Sequence, residues 1–261
     1  MFIMAHIVSV LNQKGGVGKT TTALNLAAYL AEMGKFVLLV DIDPQANATS
    51  GLGVNHQELP AGVYELLIGS HQPHQVILET EHQGLRLIPA TSALAGAVVE
   101  LVSAEEREHF LRKALLGIRN DFDYIIIDNP PSLGILTING LVASDSVLIP
   151  VQAEYYALEG VGQLVNTINL IKQNIKPELE VMGAVITMYD SRTRLSREVL
   201  EELYRYFPGK IFRSVIPRSI RLAEATSFGK TIFKYDPDSK AAKAYERLAR
   251  EFLMREVGAE M

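Results

Sequence analysis

Cysteine is absent from the 261 residues. Its absence excludes a disulfide framework, a thiol nucleophile and a Cys-ligated metal or iron–sulfur cluster. No apolar run approaches the roughly 18 residues that a membrane span requires. The opening Met1-Phe2-Ile3-Met4-Ala5-His6 has neither the basic n-region nor the long apolar stretch of a secretory signal. Internal repeats, low-complexity tracts and Ser/Gly/Pro linkers are lacking too, so one domain over residues 1–261 is expected, with the cytoplasm as its default compartment. Nor is the chain basic: its net charge of −5 argues against constitutive nucleic-acid binding. Between Tyr189 and Lys234, however, ten Lys/Arg stand against five Asp/Glu. A basic region on an acidic body points to one face for polyanions.

What is present is an alternation of β-branched apolar runs with helical patterns. Strands are expected at His6–Leu11, Phe36–Val40, Leu85–Pro89, Tyr124–Asp128, Ser146–Pro150, Val181–Thr187 and Ile211–Ile216. Runs such as Phe36-Val37-Leu38-Leu39-Val40 are apolar throughout, the pattern of strands buried on both faces of a parallel sheet. Thr20–Met33 places Ala23, Leu26, Ala27, Leu30 and Ala31 on one helical face, and Gly34 supplies a stop. Ser239–Glu256 reads as a long helix with Tyr245, Leu248, Ala249, Phe252 and Leu253 inward. The fold class expected is α/β, a three-layer, doubly wound and mostly parallel sheet. Asn55–Gly84 is the least regular stretch and reads as surface loops around short helices.

The segment richest in chemistry is Asn12-Gln13-Lys14-Gly15-Gly16-Val17-Gly18-Lys19-Thr20-Thr21. It follows a strand and opens a helix, the setting of a phosphate-binding P-loop. Glycines let the backbone wrap so that successive N–H groups face phosphate oxygens, and the following helix adds its positive N-terminal end. Lys19 is expected on the β- and γ-phosphates and the Thr20 hydroxyl on Mg²⁺. A dinucleotide fingerprint fails, because Thr21 stands at its third glycine. Two further carboxylates follow strands. Asp41-Ile42-Asp43-Pro44-Gln45 ends Phe36–Val40, and Asp128-Asn129-Pro130-Pro131-Ser132-Leu133-Gly134 ends the Walker B-like run Tyr124–Ile127. Both belong at the carboxyl edge of the sheet, where ligands collect. Asp128 is expected to hold Mg²⁺, through water.

Gln13 replaces the first Walker A glycine and Lys14 adds a second lysine, and in this the loop resembles the deviant Walker A of the family containing ParA/Soj, MinD and the nitrogenase iron protein. The resemblance covers nearly the whole chain, from His6 to about Phe252. It implies a P-loop ATPase that uses ATP and Mg²⁺, with Lys14, Gly15, Gly16, Val17, Gly18, Lys19, Thr20 and Thr21 on the nucleotide. It further implies that Lys14 reaches a partner's nucleotide, making an ATP-bound homodimer, and that Asp43 in switch I positions or activates the attacking water. The Pro-Pro-Ser-Leu-Gly run resembles switch II. Ala46 stands where Gly is usual, Asn129 where Cys or Ala is more common, and Thr226 where Pro is common.

Met188-Tyr189-Asp190-Ser191-Arg192-Thr193 and Ile216-Pro217-Arg218-Ser219-Ile220-Arg221 look like Soj segments whose basic residues bind DNA without sequence preference. Arg192, Arg194, Arg218 and Arg221 are the candidates carried over. Pro217 and Arg218 also fall where the family lines the adenine site, so Arg218 is open to either role. The partners implied are non-specific double-stranded DNA and a ParB/Spo0J-type centromere-binding protein, with nucleoid association. No cis arginine finger is identifiable, so slow basal turnover is expected. A MinD-like membrane cycle is the rival reading. It needs a terminal amphipathic membrane helix, and the outer face of Ser239–Glu256 mixes Glu with Lys/Arg instead. A nucleotide-switched regulator of replication initiation shares the same motifs.

Overall fold

The computed structural model describes residues 4–154 and 157–259. Every segment expected as a strand is one: β1 His6–Val10, β2 Val37–Asp41, β4 Leu85–Ile88, β5 Tyr124–Asp128, β6 Ser146–Gln152, β7 Glu180–Tyr189 and β8 Ile211–Pro217. Unforeseen is β3, Leu78–Glu79, inside the irregular stretch. The helices are α1 Lys19–Glu32, α2 Asn47–Gly51, α3 Val63–Leu67, α4 Pro73–Val76, α5 Leu94–Leu101, α6 Phe110–Leu116, α7 Ile135–Ala143, α8 Ala157–Asn174, α9 Arg194–Tyr206, α10 Ile220–Ser227, α11 Ile232–Tyr235 and α12 Lys240–Ala259.

The strands form one sheet in the order β3-β4-β2-β5-β1-β6-β7-β8. Neighbours pair in parallel except β3, which runs antiparallel to β4 at the edge. Strand β1 lies between β5 and β6, while the chain leaves it for β2 on the far side of β5. That separation opens a crevice at the carboxyl end of β1, where doubly wound sheets bind ligands.

Burial on both faces follows from the apolar strands. On one face Val8, Val10, Leu39 and Ile126 pack with Leu26, Ala27 and Leu30 of α1 and with Tyr245, Leu248 and Phe252 of α12. On the other, Ile7, Leu38, Val40, Ile125 and Ile127 meet Leu111 and Leu115 of α6 and Leu136 of α7. Each such Leu or Ile removed from water contributes about 1.5–3 kcal/mol. The apolar stripes foreseen on Thr20–Met33 and Ser239–Glu256 are therefore core-facing; Leu253 alone of the latter is only partly buried. No helix among the described residues is long and apolar enough to cross a membrane.

Candidate functional site

Residues 11–18 leave β1 and wrap into a loop that ends at α1. Gly16 and Gly18 adopt φ of 75° and 87°, left-handed values that L side chains rarely tolerate. Gly18 is the residue before α1 and has no side chain to cap it, so the first helical N–H groups stay available to an anion. The loop is braced from two strands. The Asn12 amide donates to the Pro150 carbonyl (2.7 Å) and accepts from the Lys14 N–H (3.0 Å). Thr187 on β7 donates its hydroxyl to the Val17 carbonyl at 2.7 Å.

The two loop lysines have different surroundings. Lys19 is buried and donates to the Lys14 carbonyl at 3.1 Å. Burial holds its ammonium below the ordinary lysine pKa, and the charges of Asp128 and Asp43 oppose that shift. Lys14 instead pairs with Glu154 just past β6, Nζ to Oε2 at 2.9 Å. Glu154 also accepts from the Gln152 amide and lies 3.9 Å from Arg218. Sequence reasoning missed Glu154, although a carboxylate just beyond a strand at this edge of the sheet was a signal.

Parallel register sets the carboxylates beside the loop. Asp128 is the register partner of Val10 on β1 and of Asp41 on β2. Asp128 is fully buried, and neither carboxylate oxygen has a hydrogen-bond partner among the described residues. Burial and then the neighbouring Asp41 push its carboxyl well above the usual range; the Thr20 hydroxyl and Lys19 favour ionisation without outweighing them. An orphaned, buried carboxylate beside the Thr20 hydroxyl suits a hard divalent cation, which takes oxygen ligands. Asp41 is fully satisfied by contrast, accepting from the Asp43 N–H and from the amide and hydroxyl of Thr49. Its carboxyl is raised by burial to about 6. Asp43 is buried and braces its own loop by accepting from the Gln45 N–H at 3.0 Å.

Two residues that depart from the family pattern acquire a setting. Ala46 sits at φ 52°, ψ 34° before α2, a left-handed conformation that explains the usual glycine. Asn129 is fully buried and donates to the carbonyls of Val10 (3.1 Å) and Ile127 (3.2 Å). Its Oδ1 faces Gly140, where an added Cβ would lie 2.2 Å away. Thr226 donates to the Leu222 carbonyl one turn back; nothing in the structure explains its replacement of proline.

Beside the loop, a cavity of about 400 Å³ is lined by Gly18, Thr21, Thr187, Met188, Pro217 and Arg218, among others. The sequence-predicted Pro217 and Arg218 thus meet the phosphate loop at one site. A larger groove of about 600 Å³, between α3 and α6, contains none of the predicted site residues. Arg192, Arg194 and Arg221 lie on the exposed surface, each with an acidic neighbour: Asp190, Glu198 and Glu224 respectively.

A family model described as an AAA domain matches residues 5–181. The sporulation initiation inhibitor protein Soj of Bacillus subtilis is 52% identical over 248 residues, 95% of this chain and 98% of its own. The Myxococcus xanthus chromosome partitioning protein ParA is 49% identical over 253 residues, 97% of this chain and 89% of its own. The chain belongs to the Soj/ParA family of chromosome-partitioning ATPases. The Soj/ParA fold extends to a solved Mycobacterium smegmatis protein, cobyrinic acid a,c-diamide synthase with bound ATP analogue and magnesium. That protein is 40% identical, with a TM-score of 0.86 over 98% of this chain and 97% of its own. In this Soj/ParA-family chain, the glycine-rich loop, the carboxylates that end β2 and β5 and the cavity lined by Pro217 and Arg218 gather at the carboxyl edge of the sheet.

Proposed function

We propose that this Soj/ParA-family chain is a single-domain, ATP-dependent partition ATPase that dimerises around nucleotide and binds DNA as the dimer. The observation that carries the reading is the divided duty of the two loop lysines. Lys19 lies buried beside Asp128 and Asp43, whereas Lys14 turns outward to Glu154 with 39% of its side chain exposed. A cation outside its own cradle is placed to meet the phosphate charge of a second copy, so ATP becomes part of the interface.

In the hydrolytic step, Lys19 and the backbone N–H groups of Gly15, Gly16, Val17 and Gly18 stabilise charge on the β- and γ-phosphates. Asp43 orients a water for in-line attack on the γ-phosphorus, the bond to the β–γ bridging oxygen breaks, and ADP and phosphate leave. Thr20 and Asp128 would hold Mg²⁺, which when bound neutralises β/γ charge. Pro217 and Arg218, with Thr21, flank the base. The magnesium and ATP analogue bound by the Mycobacterium relative support this cofactor pair.

No arginine occurs within residues 12–21, 41–49 or 128–134. An inserted cation of that kind is worth about 10³–10⁵ in rate, so basal turnover is slow and a ParB-type partner accelerates it. Arg218, which lines the cavity beside the loop, is assigned to the base. Arg192, Arg194 and Arg221 supply phosphate contacts to double-stranded DNA on the nucleoid. Their own carboxylate neighbours weaken a single copy, and two aligned copies double the contacts; affinity therefore follows dimerisation. The synthase relative also binds an ATP analogue and magnesium, but the partition relatives match at higher identity.

The test is retention of the full chain on duplex DNA of arbitrary sequence with ADP, ATP or a non-hydrolysable analogue. Retention should appear only with triphosphate and fall steeply with salt. Changing Arg192→Ala and Arg221→Ala together should abolish it; intact retention in that variant would refute the proposed surface.

A further inference from the structure

Switch I is held by a buried network that the phosphate chemistry described so far does not use. The Asp41 carboxylate, at the end of β2, accepts at Oδ1 from the Asp43 N–H (3.1 Å). Its Oδ2 accepts from both the N–H and the hydroxyl of Thr49, each at 2.8 Å. The Thr49 hydroxyl in turn accepts from the Ala90 N–H at 3.0 Å, just beyond β4. Asp41, Thr49 and Ala90 are all fully buried. One hydroxyl thus uses its single proton toward a carboxylate and a lone pair toward a backbone amide, tying together segments 8 and 41 residues apart in sequence. Between the two ends of the tie lies Ala46, held left-handed at φ 52°.

We infer that Thr49 is a positioning residue for ATP hydrolysis, fixing through Asp41 the loop that carries Asp43. The inference rests on the reading of Asp43 as the residue that orients water. Asp43 reaches the reaction only through its own short side chain, so its main-chain position sets where that carboxylate stands. That position is anchored by Asp41, and Asp41 is anchored by Thr49. Charge-assisted bonds of this kind, out of water, are strong and geometrically selective. Displacing a reacting group by about 1 Å costs on the order of 10²-fold in rate.

Thr49→Val keeps the shape of the side chain and removes the hydroxyl. In steady-state turnover of Mg·ATP by the full chain, kcat should fall about 10- to 100-fold, with KM for ATP changed less than about 3-fold. Thr49→Ser, which restores the hydroxyl, should return kcat to within about 3-fold of the parent. Asp43→Ala is run in parallel. If Asp43→Ala turns over at the parental rate, the reading of the site falls and the inference falls with it. If Asp43→Ala is inactive while Thr49→Val keeps the parental kcat, or changes KM alone, the inference is overturned and the site reading stands. A measurement on the unaltered chain covers failure of Thr49→Val to fold. Amide exchange read by NMR should show the Thr49 and Ala90 N–H groups as protected as those of β2; exchange at the rate of open loops overturns the tie.

Discussion

Lys14 and Glu154 form an ion pair of 2.9 Å across 140 residues of sequence, at the mouth of the phosphate loop. Both side chains are more than a third exposed, at 39% and 42%, so solvent and salt screen the attraction and the pair is worth at most about 1 kcal/mol. A lysine held this weakly is easily surrendered to phosphate. Lys14→Ala should therefore leave the urea-unfolding free energy within about 1 kcal/mol of the parent. A loss above about 2 kcal/mol would mean that the pair is structural and not a resting place for Lys14.

Ala46 carries a strain that glycine would not. A left-handed conformation costs an L residue about 1–2 kcal/mol, part of which glycine forfeits in unfolded-state entropy. Ala46→Gly should stabilise the nucleotide-free chain by about 0.5–1 kcal/mol in urea unfolding. Destabilisation would show that the buried methyl contributes more by packing than its conformation costs.

Asn129 and Gly140 are matched in volume. A Cβ at position 140 would lie 2.2 Å from Asn129 Oδ1 and 2.9 Å from Ile42 Cδ1. Gly140→Ala should cost about 1–3 kcal/mol as overpacking. Because the two residues touch, adding Asn129→Ala should recover part of that loss, and the double variant should be more stable than the sum of the single changes indicates. Strict additivity would contradict the match.

Asp128 gives the site a pH dependence of definite sign. A carboxyl raised in the folded chain detracts from stability as pH climbs from the ordinary carboxylate range through the raised value. Divalent metal requires the ionised form and releases the proton. The rise in melting temperature caused by Mg·ADP should accordingly grow with pH across the range in which Asp128 ionises, and Asp128→Asn should flatten that dependence. A rise that shows no pH dependence from the ordinary carboxylate range upward would remove Asp128 from the metal site.

Much of this was legible in the sequence because it is local. The phosphate loop, the carboxylates at the ends of β2 and β5 and the inward stripe of α12 each declare themselves within a few residues. Strand β6 runs to Gln152 because its pairing with β7 continues to Thr187, whereas the apolar pattern stops at Val151. Strand β3 has two residues and exists only through its antiparallel partner. Thr187 bracing Val17 and Thr49 meeting Ala90 are products of tertiary contact that no spacing rule reveals; the place of Glu154 just past β6 was a signal, but its pairing with Lys14 is tertiary too. Ala46 stood out as a departure from the pattern, but only its dihedral angles give the departure a cost.

In the proposed dimer the γ-phosphate joins two copies of the chain through Lys14. Sedimentation velocity of the full chain, saturated with Mg²⁺ and a non-hydrolysable ATP analogue, tests it directly. A dimer is expected with the analogue, a monomer with ADP, and a monomer for Lys14→Ala under both conditions. A parent chain that sediments as a monomer with the analogue, or a Lys14→Ala variant that dimerises as well as the parent, would contradict it.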